Sequence, residues 1–399
     1  MNKDLGMTQA QFGIASGIFF IGYLIFEIPS NYALAKFGGR VWLARIMISW
    51  GVISVAAGFV RNFSDLAIVR TVLGIAEAGS FPGMLYFIAL WFPRELRGRV
   101  MVVCVLPLAV VFGTPVSTGI LQYMDGLFGL AGWRLLFMIE GLPAILVGFA
   151  LLKYLTSRPA DATWLSPAQR EWLIGVSLDG GQPASHAGSS MWAVMRNPQV
   201  VLFALAYACL MCGLNANFFF APQIISAFGK LVHAKLSYME IGLLTSVPSC
   251  FAVVISYLWA RHSDRTGERV LHVAGAAIGA AIGLVILANA ASFVTLLLGL
   301  ALLGGCVVGG ASAVLQLPTR GMADKPAAIT FAFVNSVSVL FSSLIPYVMG
   351  KMTDVTGSYV AALYLIGGLM VLAAVLVVVG GYFFERRDEL PNARLQETA

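Results

Sequence analysis

Long apolar runs separated by short polar segments organise the chain of 399 residues. They fall at 11–33, 42–60, 66–91, 101–122, 134–154, 198–224, 238–260, 271–290, 293–317, 327–349 and 358–384. At about 1.5 Å of rise per residue, each run as a helix is long enough to cross ~30 Å of hydrocarbon. Only helices and closed barrels satisfy every backbone polar group inside lipid. The runs are unbroken rather than alternating, which argues against barrel strands. The pattern therefore predicts an all-α integral membrane protein with eleven transmembrane helices.

The polar segments divide the chain. The longest, 155–197, contains Ser157-Arg158-Pro159-Ala160-Asp161, a polar helical pattern from Leu165 to Leu178, and a Gly/Ser-rich piece from Gly180 to Ser190. It reads as a linker between an N-terminal bundle, 1–154, and a C-terminal bundle, 198–386, with 387–399 as a tail. An internal repeat supports the division. Phe37-Gly38-Gly39-Arg40-Val41 closes an early hairpin, and Thr266-Gly267-Glu268-Arg269-Val270 closes one after the linker. A tight turn between two helices needs glycine. The fuller second copy also carries Asp264 and Arg265, which can bind helix ends and each other and so hold a gate.

Composition excludes several classes. Apolar residues make up 59% and charged residues 11%, against about 45–50% and about 25% for a soluble domain. A cytosolic enzyme, a nucleic-acid binder, a disordered chain and a disulfide scaffold are all ruled out. The net charge of +6 does not signal nucleic acid, because the cations lie between apolar runs. One set of segments carries Lys36, Arg40, Arg45, Arg94, Arg97, Arg99, Lys153, Arg158, Arg170, Arg196, Arg261, Arg265, Arg269, Arg320, Lys325, Arg386, Arg387 and Arg394. The other carries Lys3, Arg61, Arg134, Lys230, Lys235 and Lys351, and Arg70 lies within a run. The richer set is cytoplasmic by the positive-inside rule, so the C-terminus is expected inside and Met1 outside. No signal peptide precedes the first run. An outside start with an odd helix count suggests that one span is missing at the front.

Some residues carry no special chemistry. Cys104, Cys209, Cys212, Cys250 and Cys306 lie in apolar runs, and the Cys209/Cys212 pair reads as core packing. His186, His233, His262 and His272 are scattered without ligand spacing, so no metal site is expected. No P-loop, nucleotide fingerprint, HExxH or nucleophile–His pair is present. No ATP site and no cofactor site is expected.

Ionisable residues inside spans are costly and face a cavity or a partner. Arg70 and Glu77 are seven positions apart, which returns to nearly the same helix face about 10 Å along the axis. Arginine can hold a carboxylate bidentately, and a buried carboxyl can take up and release a proton. A purely structural Arg–Glu bond is the competing explanation. Asn215 and Asn217, if they face a cavity, would suit hydroxyl or carboxyl groups of a ligand; they can equally serve helix packing. Glu140 is expected in a structural ion pair beside a kink at Gly141 and Pro143. Glu27 is expected to pair with Arg97 or Arg99. Trp91 and Trp133 read as interface anchors.

The two hairpins resemble the paired loop motif of the major facilitator superfamily. The first copy has Asn31 and Lys36 where glycine and Asp or Arg are usual, a departure that resembles the anion:cation symporter branch. An ordered set of segments is similar to that branch: Gly22-Tyr23 through Glu27-Ile28-Pro29-Ser30-Asn31, Arg70 with Gly74-Ile75-Ala76-Glu77-Ala78-Gly79, Phe81-Pro82-Gly83, Trp91-Phe92-Pro93 with Arg97 and Arg99, Gly132-Trp133-Arg134 with Glu140-Gly141-Leu142-Pro143, and Arg261 through Arg269. The resemblance implies two bundles related by a pseudo-two-fold axis, twelve helices in the family, and alternating access. It implies proton-coupled import of an organic anion: a tartrate-like dicarboxylate, a sugar acid or an aromatic acid. It also implies Arg70 as a substrate residue, Glu77 as the proton-coupling residue, and Tyr23 and Asn335 as substrate contacts. From the residues alone Tyr23 could be a packing aromatic and Asn335 interhelical glue. The branch carries a Leu-Asp-Arg-x-Asn stretch just before a segment like Met1–Gly6, so Met1 resembles an internal methionine. The expected setting is a bacterial inner membrane, with a monomer whose partners are lipid, protons and a small anion, and no nucleic acid. The rival readings are a non-transporting receptor, an inactive truncated transporter, and a facilitator for another metabolite.

Overall fold

The computed structural model describes residues 1–93, 100, 108–177, 195–314, 317 and 324–396. Its α-helices are α1 (Gln9–Phe37), α2 (Gly39–Ala57), α3 (Phe63–Glu77), α4 (Ser80–Trp91), α5 (Leu108–Tyr123), α6 (Gly132–Tyr154), α7 (Pro167–Ser177), α8 (Pro198–Leu231), α9 (Tyr238–Thr266), α10 (Val270–Ala288), α11 (Phe293–Val314), α12 (Asp324–Ser342), α13 (Ile345–Thr356) and α14 (Val360–Gln396). No strand occurs among the described residues. Ten spans among them are long and apolar enough to cross a membrane. Part of the expected 101–122 span lies outside the described residues.

Two runs depart from expectation. The run at 66–91 is a broken element, with α3 ending at Glu77 and α4 starting at Ser80. The run at 327–349 is likewise divided between α12 and α13. Uniform hydrophobicity reports depth in lipid and carries no signal for a two-residue interruption. Arg45, read above as a loop cation, sits within α2.

The chain separates into two units, the first drawn from 1–7, 14–109 and 116–185 and the second from 8–13, 110–115 and 186–399. In the first, α2 lies against α6 at backbone distance: a Cβ on Gly51 would meet the Gly141 carbonyl at 2.6 Å, and one on Gly141 the Gly51 carbonyl at 2.7 Å. Small residues allow such approach where lipid supplies no hydrophobic drive between helices. Trp133 of α6 is buried with Leu5, Val60 and Leu66, and its Nε1–H donates to Asp4 at 2.7 Å. Trp91 stacks on Trp164, with ring centroids 5.8 Å apart. The polar pattern in the linker forms α7, opened by reciprocal Ser166–Gln169 bonds. Glu140, expected in an ion pair, is hydrogen-bonded by the Ser117 hydroxyl instead.

In the second unit α8 is the central helix. Phe203, Leu210, Phe220 and Ile225 are almost wholly buried against residues such as Leu284, Leu300, Leu303, Ile366 and Met370. A helix apolar on all sides belongs in such a central position. Ser237 and Glu240 form a capping box at the start of α9. The first turn of α1 groups with this unit, and Asp354 accepts the backbone N–H groups of Gln9 and Ala10 at 3.1 and 2.8 Å. Cys209, Cys212 and Cys306 are buried free thiols; Cys104 lies outside the described residues.

The α9–α10 hairpin turns as its glycine implies. Gly267 has φ +68° and its N–H caps Ser263. Two of the histidines, distant in sequence, meet here: His262 Nδ1 lies 2.7 Å from His272 Nε2, and His272 Nδ1 lies 2.8 Å from Glu268. The turn folds two positions ten residues apart onto each other, which no helical spacing encodes. Partial burial works against the Glu268 charge, yet the N–H groups of Leu271 and His272 and the His272 ring hold the carboxyl below the usual range.

Candidate functional site

The site in the first unit begins with the meeting of α1 and α3. A Cβ on Gly74 would lie 2.0 Å from the Phe19 carbonyl oxygen and 3.0 Å from the Tyr23 nitrogen, and one on Gly22 would lie 2.6 Å from the Thr71 carbonyl. The two backbones are therefore in direct contact, and this contact brings Tyr23 beside the Arg70–Glu77 face of α3. The Tyr23 ring lies 6.2 Å from Phe19. Its hydroxyl interacts with the Ser80 side chain and the Phe81 backbone, at the start of α4, and the Glu77 carboxyl is close enough to act on it electrostatically. Glu27 lies one helical turn further along α1.

Arg70 and Glu77 keep the shared face expected of a seven-residue spacing, and each feels the other's charge. No ion pair joins them among the described residues. The structural Arg–Glu bond, the competing explanation above, is thus not formed there. Arg70 instead has its guanidinium carbon 5.8 Å from the Phe137 ring of α6. Glu77 is the last residue of α3. Beyond it Ala78 is non-helical, with φ −53° and ψ 132°, and Gly79 adopts φ +80°, a conformation in which glycine carries no Cβ penalty. Pro82 falls in the first turn of α4, where its missing N–H leaves no helical bond unmade.

Sequence reasoning missed three residues at this break. The Ser30 hydroxyl of α1 donates to the Ala78 carbonyl at 2.5 Å. Trp42 Nε1–H of α2 donates to Ser30 Oγ at 2.9 Å. Arg45 Nη1–H donates to the Ala76 carbonyl at 3.1 Å. The available signal was the presence of polar Ser30 and Arg45 near apolar runs, each demanding a partner.

In the second unit the two asparagines of α8 do not act together. Two positions on a helix are about 200° apart and face different neighbours. Asn215 Nδ2–H donates to the Ser342 carbonyl at the end of α12, at 3.1 Å. Asn217 packs toward Gly304 of α11, and its Oδ1 is buried with no hydrogen-bond partner among the described residues. Asn335 is half-buried on α12.

The gate residues have mixed positions. Arg40 ties the start of α2 to the end of α6: its Nε–H donates to the Leu152 carbonyl at 2.6 Å, and its backbone N–H donates to Ser157. Arg265 is exposed at the end of α9, and Arg269 precedes α10. Arg97, Arg99 and the Asp264 side chain lie outside the described residues, so the expected Glu27–Arg97 or Glu27–Arg99 pair does too. No cluster fit to hold a metal ion occurs among the described residues.

A cation and a carboxyl held apart on one membrane helix can bind an anion and carry a proton. A protein of Agrobacterium vitis, provisionally named a tartrate transporter, is 41% identical over 384 residues, covering 95% of this chain and 83% of that protein. A quinolone resistance transporter of Acinetobacter baumannii is 32% identical, covering 95% and 87%. Among solved structures, a D-xylose–proton symporter superposes with a TM-score of 0.70 at 18% identity, covering 92% of this chain and 87% of that one. The family profile described as Major Facilitator Superfamily matches residues 1–346 and again 203–398. The chain is a multi-pass membrane transporter that belongs to the Major Facilitator Superfamily.

Proposed function

We propose that the protein imports a small organic anion together with protons, by alternating access. The class is a dicarboxylate such as tartrate, a sugar acid or an aromatic carboxylate. Arg70 holds a carboxylate of the ligand, Glu77 carries the coupled proton, and Tyr23 offers its hydroxyl beside them. Asn217 and Asn335 are the candidate ligand amides of the second unit; Asn215 serves packing. One observation carries the reading: an arginine and a glutamate share a face of α3 at membrane depth without pairing to each other. An unpaired guanidinium there is costly, and a carboxylate ligand offsets that cost with charge-assisted hydrogen bonds. The tartrate assignment of the Agrobacterium relatives points to the same ligand class. The likeness to bacterial relatives favours a bacterial inner membrane, the distribution of Lys and Arg favours a cytoplasmic C-terminus, and the transporter acts as a monomer.

The test is uptake of radiolabelled L-tartrate, with galactonate and phthalate in parallel, into proteoliposomes carrying an inside-alkaline gradient. Accumulation above equilibrium is expected. Glu77→Gln should abolish accumulation while leaving exchange across preloaded vesicles, and Arg70→Gln should abolish both. Gradient-independent flux, or intact accumulation in the Arg70 variant, refutes symport by this site.

A further inference from the structure

The first unit carries a set of polar side chains that substrate binding does not use. Ser30 on α1 and Trp42 and Arg45 on α2 converge on the interruption between α3 and α4. Trp42 donates to Ser30, and Ser30 to the carbonyl of Ala78. Arg45 donates to the carbonyl of Ala76, and its guanidinium carbon lies 4.0 Å from the Trp42 ring centre. The two carbonyls held in this way flank Glu77. Ser30 is only 5% exposed, and a Cβ on Gly79 would lie 2.5 Å from its hydroxyl. The interruption and the approach of α1 therefore require each other. Arg45 Nε is buried without an acceptor among the described residues, so one carbonyl and one ring set the guanidinium's position.

We propose that Ser30, Trp42 and Arg45 form a clasp that positions Glu77 for proton exchange; this rests on the reading of Glu77 as the proton-coupling residue. A helix end leaves its last carbonyls without intrahelical donors, and in hydrocarbon such groups need partners from elsewhere. Here two other helices supply them, on the residues either side of the carboxyl-bearing one. The Glu77 side chain thus departs from a peptide pinned at both ends. Its own helix presents Arg70, α1 presents Tyr23 and Glu27, and α2 presents Arg45; α4 carries no charged residue. Releasing the pin lets the end of α3 move relative to these groups, so coupling fails before transport does.

The experiment uses the full chain in liposomes with Ser30→Ala, Trp42→Phe, Arg45→Gln and Arg45→Lys. One readout is the infrared carbonyl band of the Glu77 carboxyl, assigned by its loss in Glu77→Gln. The other is the ratio of gradient-driven L-tartrate accumulation to counterflow exchange. Ser30→Ala, Trp42→Phe and Arg45→Gln are each expected to move the band and lower the ratio about fivefold, the Boltzmann factor of one hydrogen bond. Arg45→Lys, which keeps a charged donor of similar reach, should recover part of both. A band and ratio unchanged in folded variants, with only a lower melting temperature, overturn the clasp and leave the function reading standing. Intact accumulation in Glu77→Gln overturns the function reading, and the clasp with it. If no tartrate moves, the band alone decides: a shift supports the clasp, and no shift overturns it.

Discussion

Replacing Gly74 by alanine tests the α1–α3 contact on which the candidate site depends. The added methyl carbon would lie 2.0 Å from the Phe19 carbonyl oxygen. An ordinary contact needs about 3.4 Å, so the helices must part by about 1.4 Å. The obstructing atom is backbone, and no rotamer change relieves it. Overpacking of this kind costs about 1–3 kcal/mol. The opening also carries Tyr23 away from Ser80 and Glu77, and a misplacement near 1 Å can reduce a positioned step about 100-fold. Gly22→Ala meets the Thr71 carbonyl at 2.6 Å, so it should cost less. Gly368→Ala on α14 meets nothing within 4 Å and should be neutral or gain up to about 1 kcal/mol of helix propensity. Thermal unfolding of the purified protein followed by tryptophan fluorescence, together with uptake in proteoliposomes, gives the order. Stability and transport should fall from Gly368→Ala through Gly22→Ala to Gly74→Ala. A Gly74→Ala protein that melts and transports like the wild type would mean that α1 and α3 are not in backbone contact and that the Tyr23–Glu77 proximity is wrong.

Asn215→Ala removes the donor to the Ser342 carbonyl and should cost about 1 kcal/mol of stability with little change in ligand KM. Asn217→Ala should instead leave the melting temperature nearly unchanged and raise KM; the reverse outcome would exchange the two roles. Asp354→Ala frees the N–H groups of Gln9 and Ala10 and should lower stability by about 1 kcal/mol, with Asp354→Asn intermediate in the same melting assay. Glu268 is held below the usual carboxylate range, so it stabilises the fold above the unfolded-state pKa, and this is lost as pH falls through its lower folded value. Glu268→Gln should therefore lower stability slightly at pH 7, by about 0.5 kcal/mol or less for so exposed a group, read as a small drop in melting temperature. The gap to wild type should close as the medium is taken below about pH 4; a gap independent of pH would remove the charge from the explanation.

The spans were legible because lipid leaves the backbone few options, so apolar length alone locates helices such as α6, α10 and α14. The turn at Gly267 was legible because a tight hairpin demands a left-handed residue. The face shared by Arg70 and Glu77 was legible because helical period is fixed. What escaped depends on contacts between helices. Ser30 looked like part of a family-like stretch and Arg45 like a positive-inside cation, since nothing local says that both end on the carbonyls of α3. The His262–His272 contact arises from the turn and from no periodicity. Asn215 and Asn217 looked like a pair because they are neighbours in sequence, although a helix turns two such positions to different partners.

The interruption after Glu77 is the costlier way to cross this depth of membrane. A continuous helix through 66–91 would satisfy its own carbonyls and ask nothing of α1 or α2. A buried carbonyl left unpaired in an apolar medium costs several kcal/mol, and a left-handed residue other than glycine adds about 1–2 kcal/mol. The chain meets the first cost with Ser30 and Arg45 and avoids the second with Gly79. Each of these residues is a poor choice for an apolar span taken alone, and each is accounted for only by the others. What the arrangement gains is a carboxyl at a helix terminus rather than along a helix shaft. Its peptide is pinned by two neighbouring helices, its own helix supplies a cation, and a tyrosine hydroxyl stands beside it. A change in the packing of α1 or α2 then acts directly on the surroundings of Glu77, as the proposed link between proton binding and conformational change requires.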